Sequence, residues 1–132
     1  MIIDMGPLVL LLAEKHDGRY KKCLAVFETL QGNLITTYPC LTEAMYLLGE
    51  WHYQSLLWNW ILDASILISD LSETDLKRME ILMQKFEDTP MDFADASLVA
   101  LAEATNSNQI FTLDGDFGVY RFRDKTPFEI IP

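Results

Sequence analysis

The 132-residue chain predicts an α/β fold in which helices flank a central parallel sheet, and three observations carry that prediction. Short apolar runs of strand length alternate with segments whose apolar residues recur at helical spacing. Parallel strands need long crossover connections, and the helical segments lie where those connections are needed. No repeat, linker or low-complexity tract interrupts the alternation, and half of the residues are hydrophobic, enough for one core. Residues 1–132 therefore read as a single domain.

Met1 to Asp4 is a short apolar strand that ends in an acid, and Gly6-Pro7 opens a helix over Leu8 to Glu14. Tyr20, Cys23, Leu24, Phe27 and Leu30 share one helical face, and Gly32-Asn33 ends that helix. Leu34 to Thr36 is a brief strand. Pro39 to Leu48 is helical, with Leu41, Ala44, Met45 and Leu48 on one side, and Gln54 to Asp63 gives the next helix. Ser65 to Ser69 alternates too weakly to expose one face and is expected as a buried strand. Ser72 with Asp75 resembles a capping box, and the helix it starts continues through Phe86. Asp92 to Thr105 is helical, Gln109 to Thr112 is the next strand, and Phe128 to Ile131 is expected as a last edge strand.

Twenty Asp and Glu against ten Lys and Arg leave a formal net charge of -10, which is not the footprint of a protein that coats nucleic acid. Acids gathered in one pocket can still hold a divalent cation whose charge reverses the local field, so their placement matters more than their number. The chain shows no signal-like leader and no apolar run near the roughly 20 residues that span a bilayer, which predicts a soluble, cytoplasmic protein. Cys23 and Cys40 belong to no CxxC pair or zinc-ligand spacing and are expected as reduced, partly buried thiols.

Functional groups of open parallel sheets collect beyond the carboxyl ends of the strands. Asp4 ends the first strand, and Asp114 and Asp116 lie just past the fourth. Glu43 follows the second strand near the start of its helix, and Asp95 begins the helix that leads to the fourth. Each has an ordinary structural explanation: Asp92 can be an N-cap with Asp95 a favourable first-turn charge, and Asp114-Gly115 is a common turn. Jointly they fall where one sheet edge can gather them. Like charges so close are unfavourable unless a cation or protons neutralise them, and oxygen-only ligands suit Mg²⁺ or Mn²⁺.

The segments IIDMGPLVLLL, TTYPCLTEAMYLLGE, MDFADASLVALAEATN and IFTLDGDFGVYRF resemble the successive acidic motifs of PIN-domain ribonucleases, in particular small bacterial toxins of the VapC kind. The likeness runs from Met1 to about Arg123 and implies a PIN-like three-layer fold. By this resemblance Asp4, Glu43, Asp95 and Asp114 occupy the metal-site positions, Asp116 is a variable fifth member, and Thr112 is a polar helper at the strand end. Met5 stands where the family often has a small hydroxyl residue. The expected activity is Mg²⁺- or Mn²⁺-dependent hydrolysis of RNA phosphodiesters, with one or two ions, by the toxin of a type II toxin-antitoxin pair.

Arg121 and Arg123, with Lys125, follow the last acidic motif and are expected to reach a phosphate backbone; Arg19, Lys21 and Lys22 form a second group, expected as solvated surface charge. His16 and His52 are isolated and carry no catalytic expectation. Trp51, Tyr53, Trp58 and Trp60 cannot all face the core, so part of this stretch is expected on the surface, in a homodimer or antitoxin contact. Two rivals are weaker: FTLDGDF superficially resembles a dehalogenase-type phosphatase motif but stands at the wrong end of the chain, and its glycine is misplaced for a calcium loop. A non-catalytic RNA- or protein-binding module is the remaining alternative.

Overall fold

The computed structural model describes residues 1–30 and 32–132. In chain order it runs β1 (Ile2–Ile3), α1 (Met5–Ala13), α2 (Tyr20–Leu30), β2 (Leu34–Thr37), α3 (Tyr38–Leu48), α4 (Trp51–Leu62) and β3 (Ile66–Ser69). There follow α5 (Glu73–Lys85), α6 (Phe93–Ala104), β4 (Gln109–Phe111), a 3₁₀ turn (Gly115–Gly118), β5 (Arg121–Phe122), β6 (Thr126–Pro127) and β7 (Glu129–Ile131). The expected α/β fold is present: five parallel strands in the order β3-β2-β1-β4-β7, with helices on both faces.

β1 is only two residues long, yet it is the centre of the sheet. Ile2 pairs with Ile35 on one side and Ile110 on the other, and Ile3 pairs with Phe111. Adjacent strand residues point to opposite faces, and the two cores divide on that rule. Ile2 and Ile110 join Met79, Leu82, Leu98 and Phe117 under α5 and α6. Ile3 and Phe111 join Leu8, Leu10, Leu41 and Leu57 under α1, α3 and α4. A strand covered on both faces must be apolar throughout, which is why the site acids lie beyond its end rather than within it.

Two expected elements differ in place. The helix expected from Gln54 begins at Trp51, because Gly49 adopts a positive φ of 71° that reverses the chain at once and lets Glu50 stand at the cap. The strand expected as buried, β3, is instead a sheet edge paired only with β2, and Leu67 on it is 48% exposed. Its apolar composition matches a buried strand, and only the topology shows the missing neighbour. β7 forms the opposite edge, as expected. β5 and β6 add a small antiparallel hairpin whose reversal puts Arg123 and Asp124 at positive φ. Among the described residues, no helix is long and apolar enough to cross a membrane, and both cysteines are free and buried.

Candidate metal centre

Asp4 sits between the shortest, most central strand and the helix that follows. Its backbone N–H donates to the Phe111 carbonyl at 2.9 Å, an extra rung between β1 and β4 that fixes its position, and its Oδ1 caps α1 by accepting from the Met5 N–H at 2.7 Å. Oδ2 accepts from the Thr112 hydroxyl at 2.8 Å. Thr112 itself, one residue past β4, is 2% exposed and also accepts from the Asp114 N–H at 3.0 Å. One hydroxyl thus links the first and last acidic segments.

Asp92 is the N-cap of α6, accepting from the Asp95 N–H at 2.7 Å, and so the cap reading of Asp92 is correct. Asp95 nevertheless is more than a first-turn charge. Its side chain turns inward, 8% exposed, and accepts from the Tyr120 hydroxyl at 2.9 Å. Asp114 likewise is both a turn residue, its Oδ1 accepting from the Asp116 N–H at 2.9 Å, and a neighbour of the other acids. One carboxylate oxygen from each of Asp4, Asp95 and Asp114 lies within 4.8 Å of the others.

Burial drives the carboxyl of Asp4 upward, partly opposed by its bonds from Thr112 and Met5, with the Asp114 charge adding to the rise. Asp95 is pushed up to about 7, first by burial and then by the Asp92 charge. Glu43, half-buried in the second turn of α3, also rises to about 7 through burial, then through Asp92 and Asp4. Carboxyls held this way resist ionisation together, and a hard cation relieves the conflict. The donor set is all oxygen, which suits a hard divalent cation.

The sequence profile of the PIN domain matches residues 1–123, the span that carries all of these acids. The chain belongs to the PIN domain family. Among solved structures, this PIN domain is similar to VapC20 of Mycobacterium tuberculosis, a sarcin-ricin loop cleaving toxin, with a TM-score of 0.79 at 16% identity over 96% of this chain and 98% of that one. It is also similar to VapBC2 from Rickettsia felis, solved bound to a DNA fragment from their promoter, with a TM-score of 0.66 at 18% identity over the whole of both chains. At such identities the likeness establishes the fold. None of the curated proteins matches the sequence.

The five acids expected at the site of the PIN domain do not converge equally. Asp4, Asp95 and Asp114 form the trio, while Glu43 lies outside it, near enough for the Asp92 and Asp4 charges to raise its carboxyl. The Asp116 side chain is half-buried outside the trio, and its backbone carbonyl accepts from Val119 and Tyr120.

Arg121 and Arg123 each make hydrogen bonds within the fold and keep further guanidinium donors. Nη1 of Arg121 donates to the carbonyls of Gly118, Val119 and Tyr120, closing the 3₁₀ turn. Arg123 donates to the Glu103 carbonyl at 3.1 Å, eight residues beyond Asp95 on α6, or about 12 Å along the axis.

Three participants escape sequence inspection. Tyr120 is fully buried, edge-on to Phe86 and Phe117, with only its hydroxyl directed at an acid. Asp92 adds negative charge to every acid near it. The Cys40 thiol lies 3.9 Å from Asp4 Oδ1, and burial followed by the Asp4 charge keeps it protonated. The only available signal was the spacing of FGVY, which places an aromatic near the acidic turn but not its direction. The Trp-rich stretch divides in two: Tyr53 and Trp60 pack on the core, with Trp60 stacked on Phe27 at 4.6 Å, while Trp51 and Trp58 are 69% and 45% exposed.

Proposed function

We propose that this PIN domain is a Mg²⁺- or Mn²⁺-dependent endoribonuclease acting in the cytoplasm as the toxin of a type II toxin-antitoxin pair. The observation that carries the activity is the trio Asp4, Asp95 and Asp114, whose oxygens lie within 4.8 Å of one another beyond the carboxyl ends of β1 and β4. These residues would hold the cation, which when bound supplies positive charge against a phosphodiester and makes water more acidic. Thr112 and Tyr120 each engage one oxygen of a trio member and hold its orientation. Glu43 and Asp116 orient water at the rim or complete a second site.

Phosphodiester displacement needs positioning and charge neutralisation more than a covalent nucleophile. Phe93 and Tyr38 are 51% and 57% exposed and line a cavity of about 420 Å³ together with Glu43 and Thr42. Those rings offer a stacking surface to an unpaired base beside the acids. Incubation of the protein with total RNA, with and without Mn²⁺, followed by mapping of the cut ends, tests the activity; undiminished cutting by Asp4→Asn would overturn the assignment.

The toxin assignment draws on the shared fold with VapC20, and the partner assignment on the exposed Trp51 and Trp58. These two rings, with Tyr46 at 83% exposure, present apolar surface that a second copy of the chain or a small antitoxin would cover. Light scattering of the protein alone and with a co-expressed antitoxin, repeated for Trp51→Glu, separates the two.

A further inference from the structure

A cavity of about 260 Å³ opens against Asp4 and Asp114, and its remaining wall includes Glu14, Leu47, Leu113 and Arg19. Arg19 precedes α2 on the α1–α2 connection and is the one cation on this wall. Asp17 holds it in a two-pronged grip, with Nε at 3.0 Å from Oδ1 and Nη2 at 2.8 Å from Oδ2, while the Arg19 N–H donates to the same Oδ1 at 2.8 Å. A guanidinium has five donors, and the grip engages two of them. The free Nη1 edge is left for a ligand, with the side chain 57% exposed and its orientation already set.

We infer that Arg19 is the phosphate-gripping residue of the site, its free guanidinium edge binding an RNA backbone phosphate next to the one cleaved at Asp4 and Asp114. The inference rests on RNA as the substrate. Arg121, whose Nη1 bonds the carbonyls that close the 3₁₀ turn, and Arg123, tied to the far end of α6, do not line this cavity. In a chain of net charge -10, a preoriented guanidinium on the cavity wall offers a phosphate directed, charge-assisted donors. Asp17 orients the guanidinium, and Glu14 on the same wall opposes an anion.

The test measures KM and kcat for a labelled single-stranded RNA in Mn²⁺. It adds binding of the same RNA against salt by anisotropy in an Asp95→Asn background, and Mn²⁺ affinity by titration of the cleavage-competent variants. Arg19→Ala is expected to raise KM and Kd about tenfold and to reduce the salt slope by about one, with kcat and Mn²⁺ affinity unchanged. Arg19→Lys, which keeps the charge without the fork, should fall between, and Glu14→Gln should bind RNA more tightly. Lys22→Ala, outside the cavity, should match wild type. Unchanged Kd and salt slope in Arg19→Ala, with cleavage intact, would overturn the role of Arg19 alone. Failure of the wild-type protein to bind or cut RNA at all would overturn the nuclease assignment and this inference with it.

Discussion

The Tyr120 hydroxyl donates to Oδ2 of Asp95 at 2.9 Å, joining a fully buried aromatic ring to a trio acid that burial and the Asp92 charge push up to about 7. Phe86 and Phe117 pack edge-on against that ring at 5.1 Å, so the bond direction is fixed by core packing. Tyr120→Phe keeps the packing and removes only the donor. The bond lowers the Asp95 pKa, so its loss lets protons compete better with a cation. Mn²⁺ affinity at pH 7 should fall on the order of tenfold and recover as pH rises. Calorimetric titration at pH 7 and pH 8.5 checks this, and equal affinities for variant and wild type would refute it.

Thr112 serves two acidic segments through one buried hydroxyl. Thr112→Val preserves shape but leaves an Asp4 oxygen and the Asp114 N–H without their partner. Stability should drop by about 1–3 kcal/mol in urea unfolding, with Thr112→Ser retaining most of it. A neutral Val variant would mean that water replaces the hydroxyl.

Metal-free stability should depend on the Asp95 charge in a definite direction. Its folded pKa of about 7 lies above the ordinary aspartate value of 3.8, so the native state holds the proton more tightly than the unfolded chain. That contribution is full below the unfolded pKa and is lost as pH rises through about 7. In EDTA, the melting temperature of Asp95→Asn relative to wild type should therefore climb between about pH 4 and pH 7. Added Mn²⁺ should stabilise wild type most at the upper end, where protons no longer occupy the carboxyl. A pH-independent difference between the two proteins would contradict this account.

The trio and its neighbours should separate in kinetics. Asp4→Asn and Asp114→Asn each remove a trio member and are expected to lower RNA cleavage by at least about a hundredfold and to abolish the Mn²⁺-induced rise in melting temperature. Asp116→Asn, outside the trio, should cost about tenfold and leave that rise largely in place, as outer partners of metal sites do. Equal losses in all three would place Asp116 among the ligands.

Phe93→Ala removes half-exposed ring surface beside Glu43 without opening the core. Stacking on one aromatic is worth about 1–3 kcal/mol per base, so KM for single-stranded RNA should rise about tenfold while Mn²⁺ affinity holds. A rise of the same size for duplex RNA would point to a contact other than an unpaired base.

The order of strands and helices was legible because parallel topology imposes it on the hydrophobic pattern: each apolar run and each amphipathic face appears in its place. β3 was the exception, since an edge strand and a central strand can share a composition. Asp4 and Asp114 were legible as acids at strand ends. Asp95 was legible as a site acid from the joint pattern and the PIN-like motif, but the inward direction of its carboxylate was not, because a first-turn acid with a capping neighbour looks the same whether it points to solvent or to the site. Arg19 was read as surface charge and is exposed, but nothing in Asp-Gly-Arg tells that the α1–α2 connection places it on a cavity wall with Asp4.

By itself the sequence determined which segments become strands and helices, and that the acids fall at their ends, because period and capping are local properties of the chain. Only the tertiary structure decided which acids meet. Convergence depends on the pairing of β1 with β4 and on the packing of Tyr120 beneath α6. Contacts across roughly a hundred residues of chain leave no local trace.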